Sequence, residues 1–269
     1  MTADEQLLAA AFLEAEPALS AWTSWRESVD IDLLDPPRQA LLAQLYRNLS
    51  AHAAEDPILE RLRSPYRHTW VANQLLLQST ATAIATLQQE CVDASLVGDG
   101  ALVLTAYADV GARKIALPEV LVPVRQCIRA LRALSEVKWS AVGTYARRWL
   151  RPLIRGGQLL ADSGGQELRL EWRSPVKPNL AVGVPIDVPL HGVRVRVPAV
   201  AAQLVGACRA AASGAHPDIR DLADVLATMR AATDADWDAV ARLAAPEVSE
   251  TIGYLRRTLG ADVPFAIMS

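Results

Sequence analysis

Lysine is almost missing from this chain. Of its 27 basic residues only Lys114, Lys138 and Lys177 are lysines, and the rest are arginines. With the heavy use of alanine, that bias is the mark of a GC-rich bacterial genome; it reflects codon usage rather than chemistry. Cysteine is scarce too. Cys91, Cys127 and Cys208 lie far apart without a C-x-x-C pair, which argues against a cysteine-built zinc site. Such a set fits a reducing cytoplasm, with the thiols as small core residues. There is no excess of positive charge: 27 basic against 30 acidic residues leave a net charge of −3. That argues against a partner such as bulk nucleic acid and leaves only a local basic patch open. No apolar run approaches the roughly 20 residues of a spanning helix, so no membrane partner is expected. The opening Met1-Thr2-Ala3-Asp4-Glu5 is acidic where a signal peptide is basic. His52, His68, His191 and His216 are dispersed, with no pair at metal-ligand spacing.

What is present is ordinary for a globular protein: 269 residues, 51% hydrophobic and 21% charged, enough for one large domain or two small ones. Residues 6–92 read as helical. Leu7, Leu8, Ala11, Phe12 and Ala15 recur at helical spacing, as do Leu41, Leu42, Leu45, Tyr46 and Leu49. Asp35-Pro36-Pro37 stops one helix and starts the next; Asp56-Pro57 opens another, and Ser64-Pro65 a longer one. The texture changes near Cys91. Short apolar or alternating runs at 94–97, 120–122, 168–172, 182–188 and 193–197 read as strands, with helical stretches at 101–107 and 124–134 between them. From Ala199 the chain is helical again, with Asp234 to Trp237 able to cap a late helix. Helices, then a strand-rich centre, then helices predict an α+β protein, with an N-terminal helical lobe (1–92), an α/β core (93–198) and a C-terminal helical region (199–269).

The order of segments resembles the uncharacterised bacterial nucleotidyltransferase-like proteins of the polymerase-β-type superfamily. The matching strings are Ala21-Trp22-Thr23-Ser24-Trp25, Leu45-Tyr46-Arg47-Asn48-Leu49, Tyr66-Arg67-His68-Thr69-Trp70, Asn73-Gln74-Leu75-Leu76-Leu77, Leu96-Val97-Gly98-Asp99-Gly100-Ala101-Leu102 and Gly111-Ala112-Arg113, with residues 219–230 and Asp236-Trp237 near the end. The resemblance implies a small mixed-sheet nucleotidyltransferase core between helical lobes. Active members carry Leu-Lys-Gly at a strand-to-helix turn, then an arginine, then Asp-x-Asp on a strand, and a third carboxylate on a later strand. Residues i and i+2 of a strand face one side, so Asp-x-Asp aims two carboxylates at one spot where magnesium bridges them to phosphates.

This sequence departs from that pattern at each chemical position. Counting from Arg113, Asp-x-Asp falls on Leu117-Pro118-Glu119. The lysine falls on Val97 or, with a one-residue shift, on Gly98, and is missing either way. In Leu168-Arg169-Leu170-Glu171-Trp172 an arginine stands where the acid belongs, and Pro118 suits an edge strand better than an inner one.

Four features remain as candidates. Gly98-Asp99-Gly100 is a phosphate-cradling turn or, the favoured reading, a tight turn that needs glycine, since Asp99 opposes phosphate. Arg113 follows as an anion-binding candidate. Glu119 is the remnant catalytic candidate, and Glu119 with Glu171 is a weak magnesium pair, for which an Arg169–Glu171 salt bridge is the simpler alternative. Arg147, Arg151 and Arg155, around Trp149, form either an anion or acidic-peptide site or a solvated face. The expectation is a catalytically degenerate nucleotidyltransferase-fold protein, an accessory or binding protein for a protein, peptide or small anionic ligand, with no cofactor. The alternative is an active nucleotidyltransferase with an altered metal site that uses magnesium and a nucleoside triphosphate.

Overall fold

The computed structural model describes residues 1–52, 56–142, 156–172, 182–213, 217–243 and 245–260. It is a mixed α+β fold. The helices before the sheet are α1 (Ala3–Phe12), α2 (Ala15–Ser28), α3 (Pro36–Gln39), α4 (Leu42–Ala51) and α5 (Pro57–Gln89). The central part holds β1 (Ser95–Val97), α6 (Asp99–Thr105), β2 (Glu119–Leu121), α7 (Cys127–Glu136), β3 (Ser140–Ala141), β4 (Gly157–Ala161), β5 (Glu167–Glu171), β6 (Ile186–Leu190) and β7 (Val193–Val197). After the sheet come α8 (Val200–Ala212), α9 (Ile219–Ala231), α10 (Asp234–Ala241) and α11 (Pro246–Leu259).

The strands form one seven-stranded sheet in the order β3-β4-β5-β2-β1-β7-β6. β1 runs antiparallel to β2 and parallel to β7, and β2 runs parallel to β5. One face carries Leu96, Val120, Leu168, Leu170, Val195 and Val197, all buried, and packs on the second half of α5 (Leu77, Ile84, Leu87) and on α7 (Ala130, Leu134). The helices on either side of the sheet in sequence share a second core: α1, α2 and α4 meet α8, α9 and α11 there. Trp22 and Trp25, one turn apart on α2, stack in it at 5.7 Å.

α5 corrects the expected break at Ser64-Pro65. It is a single helix of 33 residues with Pro65 inside it, at the cost of one backbone hydrogen bond. Packing at both ends outweighs that cost, because Leu59 and Leu62 lie in the helical core and Leu77 to Leu87 in the sheet core. Three further corrections have local causes. β2 is an inner strand, not an edge strand: Pro118 lies just outside its paired residues and offers only its carbonyl, to the Arg169 N–H at 2.9 Å. The strand expected at 182–188 begins at Ile186, after Gly183 at φ 74° and Pro185. The late helix is capped by Thr233 rather than by an aspartate, with Asp236 reciprocating from the first turn. β3 and β4 were not foreseen; each is short, and β4 buries only Leu160. Of the cysteines, Cys127 and Cys208 are buried as expected, and burial pushes the Cys208 thiol up to about 12. Cys91 is exposed, just past the end of α5. Among the described residues no helix is long and apolar enough to cross a membrane.

Asp162 fastens the β4–β5 turn. It accepts from the N–H groups of Gly164 and Gln166 at 2.8 and 2.9 Å and from the Ser79 hydroxyl of α5. Burial alone would raise its pKa, but these bonds outweigh it and hold the carboxyl below its ordinary value. A carboxyl depressed in the folded state stabilises above its unfolded pKa of about 3.9, and that gain fades as pH falls through the lower folded value. Ser79→Ala should therefore destabilise the protein more near pH 6 than near pH 3, as read from urea midpoints at the two pH values.

Candidate functional site

The second face of the sheet is the chemical one. Pairing places Val97, Glu119, Arg169 and Leu159 side by side across β1, β2, β5 and β4. The next row holds Asp187, Arg196, Ser95, Leu121, Glu171 and Gly157. Glu119 and Glu171 therefore share a face, but Arg169 is the direct cross-strand neighbour of Glu119. The arginine therefore adds positive charge to the strip of sheet where a bound cation would have to sit, although the Glu119 carboxylate itself leans toward Gly98. Among the described residues no group of three or more His, Cys, Asp or Glu is placed to hold a metal ion.

Gly98 sits where β1 turns into α6, at φ 62° and ψ −141°. The Glu119 carboxylate lies over it: a Cβ added to Gly98 would stand 2.8 Å from Glu119 Oε2. The backbone angles admit little but glycine. Gly98→Ala should cost about 1–3 kcal/mol by chemical denaturation, from that backbone strain. The Glu119 side chain can swing aside, so adding Glu119→Ala should restore little of the loss. Gly100 is tight for a different reason, since its added Cβ would stand 2.9 Å from Leu96 Cδ1.

Asp99 in this turn is held from two sides. Its Oδ2 accepts the Ala116 N–H at 3.0 Å, and its Oδ1 is 3.0 Å from Arg113 Nη1. Arg113 is the centre of a larger cluster. Its Nε and Nη2 donate to the two oxygens of Asp224 on α9, at 2.6 and 2.8 Å, and the Tyr107 hydroxyl donates to Asp224 Oδ1 at 2.8 Å. Burial by itself would lower the Arg113 pKa, but the Asp224 charge and hydrogen bonds hold it above its ordinary value. Burial and the neighbouring Asp224 charge raise the Tyr107 phenol well above its own. Arg113, read from sequence as an anion-binding candidate, thus carries two internal carboxylates.

The loop that carries Arg113 is pinned on its other side by Asn73 of α5. The Asn73 amide donates to the carbonyls of Val110 and Arg113 at 2.6 and 2.7 Å and accepts the Ile115 N–H at 2.9 Å. Asp109 adds bonds from Arg47 and Tyr66. Sequence reading missed both Asp224 and the pairing role of Asn73. The available signal was a carboxylate amid Leu222, Ala223, Val225 and Leu226, since a buried acid needs a cation.

A cleft of about 400 Å³ opens beside the cluster, between the 112–116 loop and α1, α4 and α9. Phe12, Leu41, Gln44, Lys114 and Arg220 line it along with Asp99, Arg113 and Asp224. Arg147, Arg151 and Arg155 lie outside the described residues.

No model of a known protein family matches the sequence, and no curated protein sequence is similar to it. Among solved structures, an antigenic nucleotidyltransferase-like protein from Paracoccidioides brasiliensis superposes with a TM-score of 0.47 and 14% identity over 70% of this chain and 93% of that one.

Proposed function

We propose that this chain is a nucleotidyltransferase-type scaffold of a bacterial cytoplasm that no longer carries out metal-dependent nucleotidyl transfer and serves as a binding or accessory protein, for a peptide, a partner protein or a small anionic ligand, in a biosynthetic pathway. The observation that carries the reading is the pairing of Glu119 with Arg169. In the sequence resemblance these are the positions of the second and third catalytic carboxylates, so a cation stands beside the one surviving acid. Nucleotidyl transfer needs metal charge on the triphosphate and at the transition state, and the metal needs converging carboxylates.

A second reading has one observation in its favour: Glu119 and Glu171 share a sheet face. Under it, magnesium and a nucleoside triphosphate occupy that face, and Glu119 is the principal ligand. The two readings separate on the magnesium dependence of nucleotide affinity. The first expects magnesium to change nucleoside triphosphate affinity less than about twofold; a tenfold gain, about 1.4 kcal/mol, lost in Glu119→Gln, supports the second.

A further inference from the structure

Gln44, one of the residues that line the cleft beside Arg113, carries a polar atom whose hydrogen-bonding need is unmet. Gln44, buried on α4, donates its amide N–H to the Ala11 carbonyl at 2.9 Å, while its Oε1 is buried and has no partner. Turning the amide over would set oxygen against oxygen at Ala11, so the hydrogen bond to Ala11 sets the orientation in the free protein. An acceptor left in this state costs about 1–3 kcal/mol, which a ligand donor or an ordered water offsets; the other such atom among the described residues, Trp25 Nε1, lies in the helical core away from the cleft.

The charges at the cleft are unequally satisfied. Arg113 is neutralised by Asp224 and shares Asp99. Arg220 donates through Nε and Nη2 to Asp218 and, among the described residues, has no partner at Nη1. Lys114 is exposed, and among the described residues its ammonium meets no carboxylate. Between the unmet acceptor and the unpaired cation the wall is apolar, with Phe12, Leu41, Ala112 and Ala223.

We propose that this cleft binds a small amphipathic organic acid. Its carboxylate or phosphate lies at Lys114 and Arg220, its apolar body against Phe12 and Leu41, and a hydroxyl or amide N–H at its inner end donates to Gln44 Oε1. The oxygen has no solvent contact, so binding requires the Gln44 side chain to swing toward the cleft and give up its bond to Ala11. About 400 Å³ is within the range of small-molecule sites. The inference deepens the binding role proposed above and rests on it by naming the ligand class.

The test titrates the full chain with 3-(4-hydroxyphenyl)propionate, followed by NMR shifts and calorimetry. Two controls each lack one feature: 3-phenylpropionate has no donor, and 2-(4-hydroxyphenyl)ethanol has no anion. Saturable binding of the first is expected at a Kd of about 1 mM or tighter, with each control at least about fivefold weaker. Lys114→Ala, at an exposed position, should weaken the acid about fivefold and leave the alcohol unchanged. Gln44→Met, of similar volume, should erase the difference between the hydroxyl and phenyl acids. An absence of saturable binding at 10-fold that concentration, or binding indifferent to both substitutions, overturns the proposal. Nucleotide turnover is a separate readout, so loss of the degenerate reading is distinguishable from failure of the ligand assignment.

Discussion

Asp224→Ala is expected to be among the most damaging single substitutions in the chain, at about 3–5 kcal/mol. The reason is what it leaves behind. Arg113 is mostly buried and spends three donors on two carboxylates, two of them on Asp224. Without Asp224 the guanidinium keeps one carboxylate, the partly exposed Asp99, and a long bond to the Lys114 carbonyl, and the Tyr107 hydroxyl loses its acceptor. The cluster also joins the two cores: Arg113 lies on the loop that leads into β2, and Asp224 on a helix of the helical layer. Urea denaturation of Asp224→Ala should show the loss, while Tyr107→Phe should cost only about 1 kcal/mol, the worth of one hydrogen bond. The double variant Arg113→Met/Asp224→Leu should be much more stable than Asp224→Ala alone, because the isolated buried charge, not the missing pair, dominates the cost. Equal stability of the two would show that Arg113 is not electrostatically committed to Asp224.

The second large effect is expected at Asn73. Its side chain is fully buried and makes three hydrogen bonds, all to backbone groups of residues 110–115. No apolar residue can replace both donor and acceptor. Asn73→Leu should strand two carbonyls and one N–H, at about 1–3 kcal/mol each before relaxation, and about 4 kcal/mol overall is a reasonable expectation. Hydrogen exchange provides the finer readout, since the Ile115 amide should lose most of its protection in the variant. Retained protection there would mean that packing, not Asn73, orders the loop. Because this loop delivers Arg113 and Lys114 to the cleft, the variant should also weaken ligand binding there.

The sequence predictions succeed where local pattern decides structure and fail where partners are distant. The alternation in 193–197 and the short run at 94–97 are local, and β7 and β1 lie there. Pro65 shows the limit of local reading, because packing on two cores carries α5 through a residue that punctuates most helices. Pro118 is the converse: its meaning depends on whether it lies inside or just before the paired segment. At the site, the shared face of Arg169 and Glu171 was legible from their i, i+2 spacing; that Glu119 joins them follows only from the pairing of β2 with β5. The Arg113–Asp224 pair was not, since 111 residues separate its members and nothing in either neighbourhood names the other.

Turnover tests the central claim most directly. The purified chain is incubated with each labelled nucleoside triphosphate, magnesium or manganese, and the proteins encoded beside it, and pyrophosphate release and nucleotidylated product are measured. Groups that act as a unit do not fail additively, so the loss of two carboxylate positions and a lysine should leave no release above a protein-free blank. Pyrophosphate or nucleotidylated product that appears with the wild-type chain and vanishes in Glu119→Gln would contradict the account and establish an altered but working metal site on the Glu119 face of the sheet.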